Sequence, residues 1–219
     1  MCSRAAVSGG CCRESFLNGE PAIAISSNGA NCRRAASVSW KTPETNVVGA
    51  VRQRDGRTEK TSFIIIDAQS VKNTDTAEEK GYDGGKLVSG IKRHLAVDTQ
   101  GLPHAIHITT ANITDRAGAL AAFSLHKTSL SEVKNVLADA GYTGETCAER
   151  VQAMLGCPVE IARRSELHTF AIIPKCWVVE RSFAWIDECR RLWKTCERKL
   201  RTSLNMMVFA FLVLLLKRL

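Results

Sequence analysis

Phe63-Ile64-Ile65-Ile66-Asp67 and, further on, Asn135-Val136-Leu137-Ala138-Asp139 decide how this chain reads. Each is a short, continuous apolar run, the pattern of a strand buried on both faces. Each ends directly on an aspartate. The carboxyl ends of central strands in an α/β sheet face the crevice where ligands bind. A carboxylate there is costly unless it is paired or binds a cation. Two or three such groups together make a hard, all-oxygen site suited to Mg²⁺ or Mn²⁺. Taken alone, either aspartate is more simply read as capping the turn that follows it.

The flanking sequence extends the pattern. Ile91 to Asp98 and His104 to Thr110 are strand candidates, and the turn chemistry of Asp98 to Pro103 predicts that they form an antiparallel hairpin. Lys72 to Lys86, with Gly81, Gly84 and Gly85, reads as a loop. Thr114 begins a helix with Asp115 in its first turn, and Thr143 or Gly144 starts another that runs to about Leu155. Pro158 to Ala162 and Thr169 to Ile173 are further strand candidates. Val179, Phe183, Ile186, Cys189, Trp193, Cys196 and Leu200 step by 4, 3, 3, 4, 3 and 4, one apolar face at helical period. Ser203 is placed to cap a final helix. This order predicts a mixed α/β domain with helices on both faces of a central sheet. Glu180 lies beside that apolar face, flanked by Val178, Val179, Phe183 and Trp185, and is the third candidate carboxylate. A simple pair with Arg181 or Lys175 is the plainer account of it.

Composition bounds the partners. The 219 residues suffice for one substantial core, and 45% hydrophobic with 24% charged residues is ordinary for a globular protein. A net charge of +8 favours a polyanionic partner over an acidic substrate. Eight Lys/Arg against four Asp/Glu lie between Lys175 and Arg201, either a phosphate-facing stripe or a solvated helix face. The nine cysteines show neither a C-x-x-C pair nor zinc-finger spacing, and the start lacks the apolar core of a signal peptide. Reduced thiols in a cytoplasm are expected. Leu204 to Leu216 is apolar except for Asn205, yet a spanning helix needs about 20 apolar residues, so a buried C-terminal helix is expected rather than a membrane anchor. Residues 1 to 45 hold four of the nine cysteines and no sustained period, and are expected to be poorly ordered. Residues 46 to 60 read as a linker. The expected organisation is an atypical segment over 1–60 and a catalytic domain over 61–219.

Five blocks carry a resemblance: IIIDAQSVK (64–72), GYDGGKLVSGIKRHLAVDTQGLP (81–103), TTANITDRAGA (109–119), LADAGYTG (137–144) and WVVERSFAWIDECRRLWKTCERKL (177–200). In this order they resemble the blocks of DDE-type transposases of bacterial insertion sequences, the groups numbered four and five. The resemblance implies a ribonuclease-H-like mixed sheet flanked by helices. It implies that Asp67, Asp139 and Glu180 are catalytic and bind two Mg²⁺ or Mn²⁺ ions for phosphoryl transfer without a covalent protein–DNA intermediate. It makes Arg181, Arg191, Lys175, Arg190 and Lys194, with Arg198 and Lys199 beside them, candidates for phosphate contacts. The implied partner is double-stranded DNA, at transposon ends and target, bound by a homodimer in the bacterial cytoplasm, associated with the nucleoid. Two departures stand out. Relatives carry an arginine four residues before the glutamate, where this chain has Cys176, and a tyrosine where it has Ile173. They also begin with a helical region that helps bind transposon ends, which residues 1–45 do not resemble; a truncated or frame-shifted copy has that character. The competing readings are an inactive DNA-binding remnant, a ribonuclease-H-like nuclease without a transposition role, and a membrane-anchored protein.

Overall fold

The first aspartate-bearing run opens a strand, β1, Phe63–Lys72, at the middle of the sheet. The computed structural model describes residues 43–162 and 176–219. The expected low order of residues 1–45, apart from the start of the first helix, the strand at Thr169–Ile173, and Lys175 all lie outside the described residues. β1 is followed by β2, Gly81–Asp83, β3, Val88–Val97, and β4, Pro103–Thr110. β3 pairs antiparallel with β1 on one side and with β4 on the other, so the expected hairpin is present. Its turn is closed by Asp98, whose Oδ1 accepts from Gln100 N at 2.9 Å and Leu102 N at 3.0 Å. After helix α2, Asp115–Leu125, strand β5, Asn135–Ala138, runs parallel to β1. Helix α3, Glu145–Leu155, then leads to β6, Val159–Ile161, parallel to β5. Four strands in antiparallel pairing, a crossover helix and two parallel strands make this the ribonuclease-H-like mixed sheet.

The alternation along β1 divides the core. Ile64 and Ile66 join Ala96, Ala105, Phe123, Val136 and Val151 beneath α2 and α3. Ile65 and Val71 join Leu95, Ile106, Leu137, Val179, Phe183 and Leu204 on the opposite face, under α4, Cys176–Asp187, and α5, Leu200–Leu216. Burying Val, Ile, Leu or Phe side chains contributes about 1.5–3 kcal/mol each, so both layers are needed to hold the central strand. α2 begins as its sequence predicts, with Thr114 Oγ1 accepting from Ala117 N at 3.2 Å.

Four expectations need correction. Most of helix α1, Pro43–Arg54, falls in residues 46 to 60, which read as a linker, and its Val48 and Val51 pack with Leu102 and Leu215. The helix was illegible because its inner face includes Arg52, buried through an ion pair with Asp98. The Lys72–Lys86 loop contains β2, which pairs Gly81 with Gly90 and Asp83 with Val88. The continuous apolar face from Val179 to Leu200 is not one helix: α4 ends at Asp187, and α5 begins at Leu200. Fully buried Arg93 draws the chain out of helical geometry, pairing with Asp187 Oδ1 at 3.1 Å and donating to the Leu192 carbonyl. The backbone then pairs with the end of β1, Thr195 N donating to Lys72 O at 2.9 Å and Thr74 N to Thr195 O at 3.0 Å. Finally, Ser203 is buried inside α5, and Lys199 occupies its N-cap without a side-chain bond. No helix among the described residues is long and apolar enough to cross a membrane.

Candidate active site

The parallel ladder between β1 and β5 runs from Phe63↔Asn135 to Ile66↔Ala138 and stops there. The next residue on each strand is the aspartate. Asp67 is therefore not at the end of β1, as its sequence predicts, but where β1 loses its parallel neighbour. β3 holds the strand straight on the other side, with Asp67 opposite Leu95 and pairing continuing to Lys72↔Gly90. Asp139 leaves β5 into a single 3₁₀ turn, Ala140–Tyr142, and its Oδ1 accepts from Gly141 N at 2.9 Å. By strand alternation Asp67 shares the face of Ile65, and Asp139 that of Leu137. Both of those residues belong to the core layer beneath α4. α4 meets them with Cys176, Val179 and Glu180. Together with Ile65, Ile66, Ala140 and Ala162, these residues line one pocket of about 340 Å³. All three expected carboxylates thus face a common cavity. Among the described residues, however, no three His, Cys, Asp or Glu side chains converge closely enough to hold a metal ion as they stand. Asp139 and Glu180 are exposed, and Asp67 is half-buried.

Electrostatics single out Asp67. Its carboxyl is pushed up to about 6 from an ordinary value of 3.8, first by burial and then by the charge of Asp139. A hydrogen bond from Ala68 N to Asp67 Oδ1, 2.7 Å, and the charge of Lys86 pull the other way without offsetting it. The Cys176 thiol is raised by burial and by Asp139, Asp67 and Glu180 in that order, which sets it in the field of all three carboxylates. The buried Tyr142 hydroxyl is likewise pushed well up by burial and by Asp67, Asp115 and Asp139. An all-oxygen donor set whose innermost carboxylate lacks full compensation by a cation fits a hard divalent ion. Asp67, Asp139 and Glu180 are the residues that would hold it.

The expected phosphate contacts are less uniform. Arg181 lies between two indoles, its guanidinium 4.6 Å from the Trp177 ring centroid and 4.9 Å from that of Trp185, and donates to the Gln100 carbonyl at 3.0 Å. It braces α4 against the β3–β4 turn. Arg191 pairs with Glu197 at 2.6 Å and Arg198 with Glu78 at 3.1 Å. Arg190 is exposed and Lys194 half-buried, and neither has an ion-pair partner among the described residues. Sequence reasoning passed over Lys86. Its Nζ donates to the Ala68 carbonyl at 2.8 Å, one residue from Asp67, and lies 3.8 Å from Asp115 Oδ2. The signal available was its position after two glycines in the GYDGGK block.

Comparison with known proteins bears on this arrangement. The chain is 32% identical over 117 residues to a protein of Burkholderia cepacia named "Putative transposase for insertion sequence element IS402". The match covers 50% of this chain and 55% of that protein, so the chain spans about half the length of the curated relative it matches. Among solved structures it is similar to a chain of the simian T-cell lymphotropic virus intasome in complex with PP2A regulatory subunit B56 gamma (TM-score 0.47, 13% identity, 68% of this chain and 48% of that one). The catalytic core domain of BIV integrase is similar at a TM-score of 0.42 and 13% identity, with 68% and 82% covered. The transposase DDE domain model matches residues 58–216, a span that contains both aspartates, Glu180 and every strand of the sheet. With that match extending over most of its length, this chain belongs to the DDE transposase family.

Proposed function

We propose that this protein is a DNA transposase that cleaves and joins the strands of an insertion sequence by metal-dependent phosphoryl transfer, with Asp67, Asp139 and Glu180 as its catalytic carboxylates. The observation that carries the reading is the shared pocket: two aspartates stand side by side just past the last pair of the β1–β5 ladder, and α4 sets a glutamate on the same cavity. Two Mg²⁺ or Mn²⁺ ions, when bound, supply Lewis-acid activation of the attacking oxygen and stabilisation of the leaving oxygen in an in-line displacement. Asp67, fixed by its ladder to β3, is the positional reference for this site. Asp139, on a short turn, and Glu180, on the exposed side of α4, complete the donor set from two other elements. The attacking group is a water in cleavage and a DNA 3′-hydroxyl in joining, so no protein nucleophile is required. The residues from about 61 onward form the catalytic domain. Its partner is double-stranded DNA at the element's ends and target, engaged as a homodimer in the cytoplasm on nucleoid DNA.

Nicking of supercoiled plasmid in the presence of Mn²⁺ tests the assignment. The chain should nick, and Asp67→Ala and Asp139→Ala should not; nicking that survives Asp67→Ala sinks the proposed site. A second reading, a remnant that binds DNA without turnover, is favoured by one observation: Cys176 lines the pocket where relatives resembling this chain carry an arginine. A thiol cannot make the bidentate phosphate contact of a guanidinium. DNA binding with no metal-dependent nicking would establish that reading.

A further inference from the structure

The β2–β3 hairpin is firmly held at its base. Asp83 anchors it: Oδ2 accepts from Ser70 Oγ at 2.6 Å and from Lys92 Nζ at 3.0 Å, and Oδ1 from Gly85 N at 3.0 Å. Beside that anchor stand Tyr82, on β2 and 57% exposed, and Leu87, on the turn and 72% exposed, both among the most exposed large hydrophobics of the described residues. A Cβ on Gly84 would meet nothing within 4 Å, so that glycine is not there to admit a packing neighbour. Leu87 holds φ at +54°, the one non-glycine left-handed backbone among the described residues. A strained residue kept at an exposed tip is a pointer to a function for that tip. Between the two apolar side chains stands Lys86, whose ammonium reaches the Ala68 carbonyl on the free edge of β1, beside Asp67. Lysine, tyrosine and leucine on one hairpin offer a phosphate contact and apolar surface for sugars and bases.

We infer that the tip formed by residues 82–87 is a DNA-gripping element that holds a strand across the carboxylate pocket, with Lys86 on a backbone phosphate and Tyr82 and Leu87 against the adjoining nucleotides. This rests on the transposase reading and adds to it a surface that basic-residue counting along α4 did not locate. Lys86 is set to exchange its carbonyl partner for a phosphate, because its side chain is still 45% exposed. The occupant is nucleic acid rather than a second copy of the chain, because the tip carries a lysine beside its apolar groups and lies next to a pocket that the proposed reaction fills with a phosphodiester.

The test is fluorescence anisotropy of the full chain with a fluorescein-labelled duplex of mixed sequence, titrated over a range of salt. Lys86→Gln, which keeps most of the stem, should lower the slope of log K against log salt by about one. Tyr82→Ala with Leu87→Ala should weaken binding about tenfold with the slope intact. A role confined to folding would move neither in this pattern. Tyr82 replaced by p-benzoylphenylalanine should photo-crosslink to the duplex. If the unaltered chain binds while all three changes leave slope, affinity and crosslinking as in controls, the hairpin inference falls and the transposase reading stands. If Tyr82→Ala/Leu87→Ala instead dissociates a dimer in sedimentation and leaves DNA binding intact, the tip serves a second copy and the inference is overturned. If the unaltered chain binds no duplex at all, the transposase reading falls with it.

Discussion

Replacing Asp67 by asparagine should stabilise this protein at neutral pH while abolishing its proposed activity. The carboxyl titrates at about 6 in the fold against an ordinary value of 3.8, a difference of about 2 pH units. At 1.36 kcal/mol per unit that is about 3 kcal/mol of penalty on the ionised form, and solvent screening at a half-buried group reduces it to about 1–2 kcal/mol. The sign follows from proton linkage. Below pH 3.8 both folded and unfolded chains hold the proton, and there is no penalty. As pH rises from there to about 6, the unfolded chain ionises first and the fold loses stability; above about 6 the whole penalty is present. Asparagine cannot ionise, yet its oxygen can still accept the Ala68 N–H that Asp67 holds at 2.7 Å. Urea denaturation should therefore show the two proteins nearly equal at about pH 4, and Asp67→Asn ahead by about 1–2 kcal/mol at about pH 8, equivalent to about 2–8 °C in Tm for a chain of this size. Millimolar Mg²⁺ should narrow the gap by stabilising only the aspartate form. A difference that stays constant with pH, or a variant less stable than the parent at pH 8, would refute the argument that Asp67 is held in an under-compensated charge environment.

Three further outcomes can be checked directly. Asp187→Ala leaves the guanidinium of Arg93, 1% exposed, without its anion and should cost about 3–5 kcal/mol in urea denaturation; a loss below about 1 kcal/mol would mean that the pair does not hold the end of α4. Gly118→Ala puts a Cβ 2.0 Å from His94 Cε1, a ring fixed by its 3.0 Å bond to Thr109 Oγ1. It should lower stability by about 1–3 kcal/mol despite alanine's better helix propensity, and a stabilised variant in thermal melts would show that α2 does not pack directly on that ring. Cys176→Arg should raise Mn²⁺-dependent nicking about tenfold, the worth of one charge-assisted contact to phosphate. Unchanged or lower nicking would show that the missing arginine is not what limits this chain.

Local chemistry explains which parts could be read in advance. β5 and the β3–β4 hairpin declare themselves because their apolar runs meet turn residues at both ends, and α2 because Thr114 caps it. What could not be read depends on partners distant in the chain. Nothing near Asp187 announces a helix end; the buried guanidinium of Arg93 and the edge of β1 at Lys72 impose it. α1 looked polar because Arg52 faces inward only by virtue of Asp98. Asp67 and Asp139 stood out as acids after apolar runs. Glu180 was no more than an odd acid on an apolar helix until the resemblance gave it a role, and its place on the same pocket is a property of how α4 crosses the sheet.

The long ladder between β1 and β3 has a consequence for how changes far from the pocket would act. Side chains alternate faces along a strand, so a slip of one residue against β3 would turn Asp67 from the α4 side into the layer beneath α2, and bring Ile66 or Ala68 to the pocket. Gly90 opposes such a slip. Opposite Lys72, it sits so close to the neighbouring strand that a Cβ would meet the Val71 carbonyl oxygen at 2.0 Å, so only a glycine fits there in the native alignment. Residues of β3 therefore act as the ruler against which the innermost carboxylate is aligned, and a larger side chain at position 90 would misplace an intact aspartate.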